Sequence, residues 1–294
     1  GSYNTFLGSN AGKGGTTSAP YSSGQYNTAA GYLALTAFTT AIHNVAFGSD
    51  SMRTNTSGNY NTAYGSSAMR TNTTGGANVA IGYAAARDLD GGDYNVVVGN
   101  GAGYNLGNVD NCILIGDEAG YAINNTGANG TIAIGHEAGK AITEGARQTF
   151  LGYQAGYSST TGDENVFIGY QAGYSETDGI GNIYIGKQVA YNIGDGNYNV
   201  AIGEEAMKSS GTAANNHATY NVAVGNQAGN KLTTGDYNVF LGSGAGYAST
   251  TVQGNIAIGY NSMRVHTTGV RNIAIGYAAM GDTDAGSTSL GSSD

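Results

Sequence analysis

Residues 78–82 read Asn78-Val79-Ala80-Ile81-Gly82, and the same five-residue phrase returns as Asn199-Val200-Ala201-Ile202-Gly203 and Asn272-Ile273-Ala274-Ile275-Gly276. Aligning the 294 residues on the closing glycine gives sixteen rungs, from Gly8, Gly31, Gly48 and Gly65 to Gly242, Gly259 and Gly276. Twelve of the fifteen intervals are 17 residues, and the other three are 23, 19 and 22, which read as insertions of 6, 2 and 5. A fixed short period marks an architecture in which each unit buries apolar surface only against its neighbours. The expected fold is therefore all-β: a parallel β-roll or β-solenoid of about sixteen 17-residue coils, one repeat array over residues 1–294. The insertions fall near residues 12–26, 121–130 and 209–220.

Each aligned column has its own chemistry. Three places before the glycine every residue is β-branched, as in Val45, Ile113 and Thr149, and one place before it Ile, Leu or Val dominates. Three places after it the residue is always small. β-Branched residues at alternate positions, closed by Gly, predict a short strand and a tight turn. A helix is excluded, because about three glycines per unit cost too much helical propensity. On this reading the flanking columns line the coil's own core, and the column between them points the other way. That middle column is apolar in all sixteen coils, with Phe6, Val97, Leu114, Phe150, Phe167, Tyr184 and Phe240 as its larger members. A thin coil covers one face only, so these seven residues are the expected subunit interface of an obligate oligomer.

Asparagine stands four places before the glycine in thirteen coils: Asn4, Asn27, Asn44, Asn61, Asn78, Asn95, Asn165, Asn182, Asn199, Asn221, Asn238, Asn255 and Asn272. Stacked coils would bring these amides to the ~4.8 Å strand spacing, where each can donate to the next. The three exceptions are consecutive: Cys112, Thr131 and Gln148. Tyrosine is periodic as well, with 19 of 22 in three columns. One column, Tyr104, Tyr121, Tyr157, Tyr174, Tyr191 and Tyr247, is expected to offer a surface for contact; the repeat makes tyrosine scaffold first.

Composition narrows the function. The chain carries 20 acidic and 11 basic side chains, a net charge of −9, and no cluster of Lys or Arg of the kind that tracks phosphates. Nucleic acid is not an expected partner. No apolar run reaches the 18 residues of a membrane span, so no membrane insertion is expected. The opening Gly1-Ser2-Tyr3-Asn4 has neither the basic nor the apolar region of a signal peptide. The single cysteine cannot form an intrachain disulfide, and reads as a buried inert thiol. Low charge fits stacking, because a like-charged column would repel itself at every rung.

Catalysis needs converging groups. His43, His136, His217 and His266 occupy different columns, and none has a metal-ligand spacing to another His or to Cys112. Asp117-Glu118 and Glu204-Glu205 follow turn glycines, but adjacent coils place Asn100, His136, Lys187 or Asn226 there, so no carboxylate column forms. The expectation is no catalytic residue, no metal and no cofactor. Met52, Met69, Met207, Met263 and Met280 all lie four places after the glycine and read as gap-fillers of the turn. The insertions are the best candidates for a specific contact, since extra residues must bulge from a regular coil. Asn124 and Asn129 open glycosylation sequons, which matter only in a eukaryotic secretory setting.

The Asn-Val-Ala-Ile-Gly phrase resembles the head repeats of trimeric autotransporter adhesins and the shaft repeats of bacteriophage tail fibres. Thr73-Thr74-Gly75 and Thr233-Thr234-Gly235, with Tyr-Gln-Ala-Gly at residues 153–156 and 170–173, look closer to the phage-type repeats. The resemblance implies a left-handed roll, a homotrimer wound about one axis, and an extracellular place on a cell surface or virion. The function expected is a structural fibre or adhesin segment giving reach, rigidity and contact with a glycan or protein receptor. A second expectation is an extracellular filament subunit stacking end to end, since the chain opens inside a repeat at residues 3–8 and closes on the partial repeat Thr288-Ser289-Leu290-Gly291. A repeat-scaffold glycan lyase would need clustered charges in a groove, which the columns do not supply.

Overall fold

A computed structural model describes residues 2–15, 22–267 and 269–282 of the chain. Pro20 in the first insertion, Gly1 and the partial repeat at residues 288–291 lie outside those residues. The chain forms two compact units, residues 1–148 and 149–294. Both are parallel β-solenoids built from the same coil. The first unit carries β1 (Thr5–Leu7), β2 (Thr28–Ala30), β3 (Val45–Phe47), β4 (Thr62–Tyr64), β5 (Val79–Ile81), β6 (Val96–Val98), β7 (Ile113–Ile115) and β8 (Ile132–Ile134). The second carries β9 (Thr149–Leu151), β10 (Val166–Ile168), β11 (Ile183–Ile185), β12 (Val200–Ile202), β13 (Val222–Val224), β14 (Val239–Leu241), β15 (Ile256–Ile258) and β16 (Ile273–Ile275).

Register follows the repeat without a slip. Val79, Ala80 and Ile81 pair with Val96, Val97 and Val98, and in the second unit Val222, Ala223 and Val224 pair with Val239, Phe240 and Leu241. Each strand stops at its glycine because the chain turns there through a backbone only glycine adopts freely: φ is +134° at Gly82 and at Gly225. A side chain has no room either, since a Cβ on Gly82 would overlap the carbonyl of Gly99 in the next coil.

Beyond the glycine the amides serve both neighbouring coils. Gly82 and Ala84 donate back to the carbonyls of Tyr64 and Ser66 at 2.8 and 2.9 Å, while Ala86 and Asp88 donate forward to Ala102 and Tyr104, both at 2.9 Å. The geometry requires left-handed residues two and four places after the glycine, such as Ser67 at φ +59° and Met69 at φ +46°. Non-glycine residues there cost on the order of 1 kcal/mol each. The coil-to-coil hydrogen bonds and the buried side chains hold them in place.

The interior corrects the sequence reading of the strand faces. The middle column points into its own coil: Val97, Leu114, Phe150, Phe167, Tyr184 and Phe240 are fully buried within the single chain, and Phe6 is 36% exposed in the first coil. None of these six offers its side chain to another subunit. The physical reason is parity. The residue four places before the glycine shares a strand face with the middle column, and the asparagines there are buried too. A coil with 17 residues has just enough interior for one inward row of that strand and the small residues facing it across the turn. The flanking β-branched columns therefore face out.

Interior volume is shared between two columns. Where the middle residue is alanine, a long side chain enters from four places after the glycine: Met52 beside Ala46, Met69 beside Ala63, Met207 beside Ala201 and Met263 beside Ala257. Where it is aromatic, that position is glycine. A Cβ on Gly156, Gly173 or Gly246 would sit 2.6 Å from the ring of Phe150, Phe167 or Phe240. The buried methionines thus fill the core rather than the surface of the turn, at the ordinary packing density of a protein interior.

Candidate functional site

The outward face of the strands is the feature with the most evident capacity for binding. Two residues per strand, those on either side of the buried middle one, point to solvent in each unit. All thirty-two are uncharged, and apart from Thr5, Thr28, Thr62 and Thr149 all are apolar or aromatic. Their exposure is substantial for β-branched and aromatic side chains: Val45, Phe47, Ile81, Val96, Leu151 and Ile183 range from 36 to 43% exposed. Charged residues lie off this stripe, in the turns, where they pair across coils. Lys140 bridges Glu118 and Glu137 at 2.6 and 2.5 Å, an arrangement that raises the ammonium pKa, and Lys187 reaches Glu204 at 2.9 Å.

Two tyrosine columns flank the stripe in sequence, five places before the glycine and directly after it. Tyr3, Tyr26, His43 and Tyr60 stack in turn with centroids 5.1, 4.8 and 5.3 Å apart. In the second unit Tyr198, Tyr220 and Tyr237 stack at 5.2 Å per step, and Tyr153 lies 5.3 Å from Tyr170. These rings are the exposed ones, from Tyr153 at 43% to Tyr277 at 80%. The expected contact column sits lower. Tyr104, Tyr121, Tyr157, Tyr174, Tyr191 and Tyr247 are half-buried; Tyr157, Tyr174 and Tyr191 stack at 5.0 and 4.9 Å, and Arg87 and Arg264 cover Tyr104 and Tyr247. Their faces are spent on one another and on guanidinium groups, so the accessible tyrosines are those of the other two columns.

The asparagines form an internal ladder. Asn44 donates its backbone N–H and its Nδ2 to Oδ1 of Asn27 at 3.0 and 3.1 Å, and Nδ2 also donates to the Gly58 carbonyl at 2.9 Å. From Asn4 the steps run through Asn27, Asn44, Asn61, Asn78 and Asn95, whose Oδ1 accepts from the Cys112 amide at 2.9 Å. The second unit repeats the arrangement from Asn165 through Asn182, Asn199, Asn221, Asn238 and Asn255 to Asn272. Every buried amide is satisfied by this geometry, which makes the ladder a positioning device for the strand rather than a site. Cys112 sits in it as a buried thiol, its pKa pushed up to about 11 by burial, with Sγ 3.5 Å from the Ala128 carbonyl.

Titratable groups do not converge. Among the described residues no group of His, Cys, Asp and Glu could hold a metal ion. His43 is stacked between two tyrosines, His136 lies 3.4 Å from Asp117, and His217 contacts Asp195. Two groups escaped the sequence reading because their neighbours in the column are ordinary core residues. Glu176 and His266 are fully buried seven places after the glycine, where Leu106, Ile123 and Ile142 stand in other coils. Burial pushes the Glu176 carboxyl up to about 8, despite the Gly179 amide that donates to it at 3.1 Å. At the equivalent place Asn72 accepts from the Gly75 amide at 3.0 Å and donates to the Gly75 carbonyl at 2.9 Å. Glu176 thus does an asparagine's turn-closing task and has no path to solvent for chemistry.

The insertions are ordered where they are described. The second forms a short 3-10 turn, Thr126–Ala128, capped by Asn125, whose Oδ1 accepts from the Gly127 amide at 2.7 Å. The third forms another, Ala213–Asn215, anchored by Asn216 Nδ2 donating to the Asn192 carbonyl at 2.7 Å. No helix of the described residues is long and apolar enough to cross a membrane. A scan against protein-family models and a search of curated proteins gave no match to the chain.

Proposed function

We propose that the chain is a structural segment of a fibre or adhesin head, displayed outside a cell or on a virion, whose copies associate through the outward strand face. The uncharged stripe carries the reading. At roughly 40 Å² for each outward side chain it amounts to on the order of 600 Å² in each unit, at the top of what monomeric proteins leave exposed. Adding the second unit brings a copy to the contribution typical of a stable interface, about 800 Å² or more per partner. The occupant that fits is another copy of the same chain. Stripes with one coil period can meet rung for rung, and neither needs a charge partner. Three copies, each turning its stripe to a common axis, match the arrangement that the Asn-Val-Ala-Ile-Gly resemblance implies. Receptor contact then falls to the surfaces left outside, the turns and insertions.

Sedimentation and mass measurement of the purified 29.7 kDa chain test this directly. A discrete particle of three chains is the expected result, and Ile185→Asp on the stripe should reduce it to monomers while leaving β-sheet circular dichroism intact. A monomer that stays soluble at tens of micromolar would overturn the reading. Indefinite filaments that survive Ile185→Asp would favour end-to-end stacking instead.

A further inference from the structure

The tyrosine column five places before the glycine is broken once between two exposed rings. Tyr60 and Tyr94 stand two coils apart, and the coil between them carries Ala77. Rings in this column lie 4.8 and 5.3 Å from their neighbours, so two steps leave Tyr60 and Tyr94 about 10 Å apart with a ring missing between them. The gap is a real cleft of about 250 Å³, walled by the two tyrosines and floored by Ala77, with Asn59, Thr74 and Asp93 at its edge. The open ring faces show in the exposures: Tyr60 is 61% and Tyr94 66% exposed, against 48% for Tyr220, which is stacked on both sides.

We propose that this slot binds a neutral or amino pyranose, one ring of a glycan, sandwiched between Tyr60 and Tyr94. The inference stands on the slot alone and holds whether or not the chain assembles through its stripe. A pyranose presents C–H groups on its two faces and hydroxyls around its rim, and the slot offers that pattern in reverse. Aromatic faces lie above and below, and polar groups sit only at the edge. The edge has capacity to spare. Asn59 spends Oδ1 on the Ile42 amide at 2.8 Å, leaving its Nδ2 as a donor. Asp93 spends Oδ1 on the Gly76 amide at 2.6 Å, leaving Oδ2 as an acceptor, and the Thr74 hydroxyl can serve as either. An acceptor, a donor and a hydroxyl around one edge suit vicinal hydroxyls better than a phenol, which has one. The Asp93 carboxylate disfavours acidic sugars.

The test is a titration of the full chain, in its native assembly state, with methyl pyranosides and with phenol, followed by saturation-transfer NMR and calorimetry. Methyl glucoside or galactoside should bind with millimolar affinity and show transfer to the axial ring protons, while the methyl uronides bind at least threefold more weakly. Tyr94→Ala should weaken binding tenfold or more, whereas Tyr237→Ala, in a continuous stack, should leave it unchanged. Ala77→Tyr restores the residue the column uses elsewhere, so it should fold normally and abolish binding. Binding that persists in Ala77→Tyr, phenol binding without pyranoside binding, or no saturation transfer to any pyranoside would each overturn the proposal.

Discussion

The two units share a backbone and differ in what fills it. In the first, the inward strand column between β2 and β5 is all alanine, and Met52, Met69, Leu35 and Ala86 reach in from the turn to complete the core. In the second, Phe150, Phe167 and Tyr184 stack through the middle of the coils with centroids 4.9 and 4.8 Å apart, and the turns opposite Phe150 and Phe167 give way to Gly156 and Gly173. The amide ladder differs too. It runs unbroken from Asn165 to Asn272 in the second unit, while the first passes from Asn95 to Cys112, Thr131 and Gln148. The outward face is nearly all apolar in the second unit, with Thr149 its one exception, against three threonines in the first. The comparison teaches that the solenoid prescribes backbone geometry and total interior volume, and leaves open which column supplies that volume.

If backbone geometry is common to both units, breaking it should cost both alike. Gly82→Ala in the first unit and Gly225→Ala in the second each place a Cβ against the next coil's glycine, at a φ that alanine does not adopt freely. Each should lose about 5 kcal/mol or more, the class of effect reserved for steric overlap in a packed backbone. Hydrogen exchange on the full chain reads the loss unit by unit. A difference of more than about 2 kcal/mol between the two sites would show that the units do not share a backbone limit.

If volume is the shared quantity, one unit's filling should work in the other. Phe240→Ala should destabilise the second unit by about 3–5 kcal/mol through the cavity it leaves. Adding Gly246→Met copies the pairing of Ala63 with Met69 and should recover all but about 1.5 kcal/mol, a residue covering the left-handed backbone at Gly246, φ +59°, and imperfect fit. Chemical denaturation of the single and double variants decides it. A double variant no more stable than Phe240→Ala would mean that ring stacking, not volume, holds that coil.

Much of this fold was legible in the chain because the period is fixed. Sixteen glycines at constant spacing set coil number, strand position and register before any contact was known, and the asparagine column told where amides would stack. The facing of the strand was misread, since the row around Val79, Ala80 and Ile81 is apolar on both sides and alternation alone cannot choose between two apolar faces. The deciding clue was present in other columns. Asn78 shares parity with Ala80, and an amide that bonds only to its counterparts belongs inside. The exchange of Phe150 with Gly156 for Ala63 with Met69 also marks the middle column as interior. The contact surface was assigned to the wrong tyrosines because Tyr104 and Tyr247 are indistinguishable from Tyr60 by period. What separates them is the cover of Arg87 and Arg264, a matter of packing between coils.

The buried carboxyl sharpens the comparison further, because the same turn is closed by a neutral amide in one unit and by an acid in the other. Asn72 and Glu176 both accept from the glycine amide three residues on, at 3.0 and 3.1 Å. Burial holds Glu176 protonated, and the nearby carboxylates of Asp195 and Asp178 act in the same direction, so its pKa rises from 4.5 to about 8 while the Gly179 amide and the Tyr184 hydroxyl pull the other way. A folded-state pKa above the unfolded one means that the contribution is fully present below pH 4.5 and is lost as pH climbs through 8. The second unit should therefore melt on the order of 5 °C lower at pH 9 than at pH 6. The first, with Asn72 at that turn, should show no such step. Glu176→Gln keeps an acceptor for the Gly179 amide and removes the titration, so it should flatten the pH dependence of the second unit and leave the first untouched. Exchange protection at β10 and β11, measured across that pH range, separates this local effect from any general response to alkali. Equal loss in both units, or a pH step that survives Glu176→Gln, would assign the sensitivity to groups other than the one acid in the core of that turn.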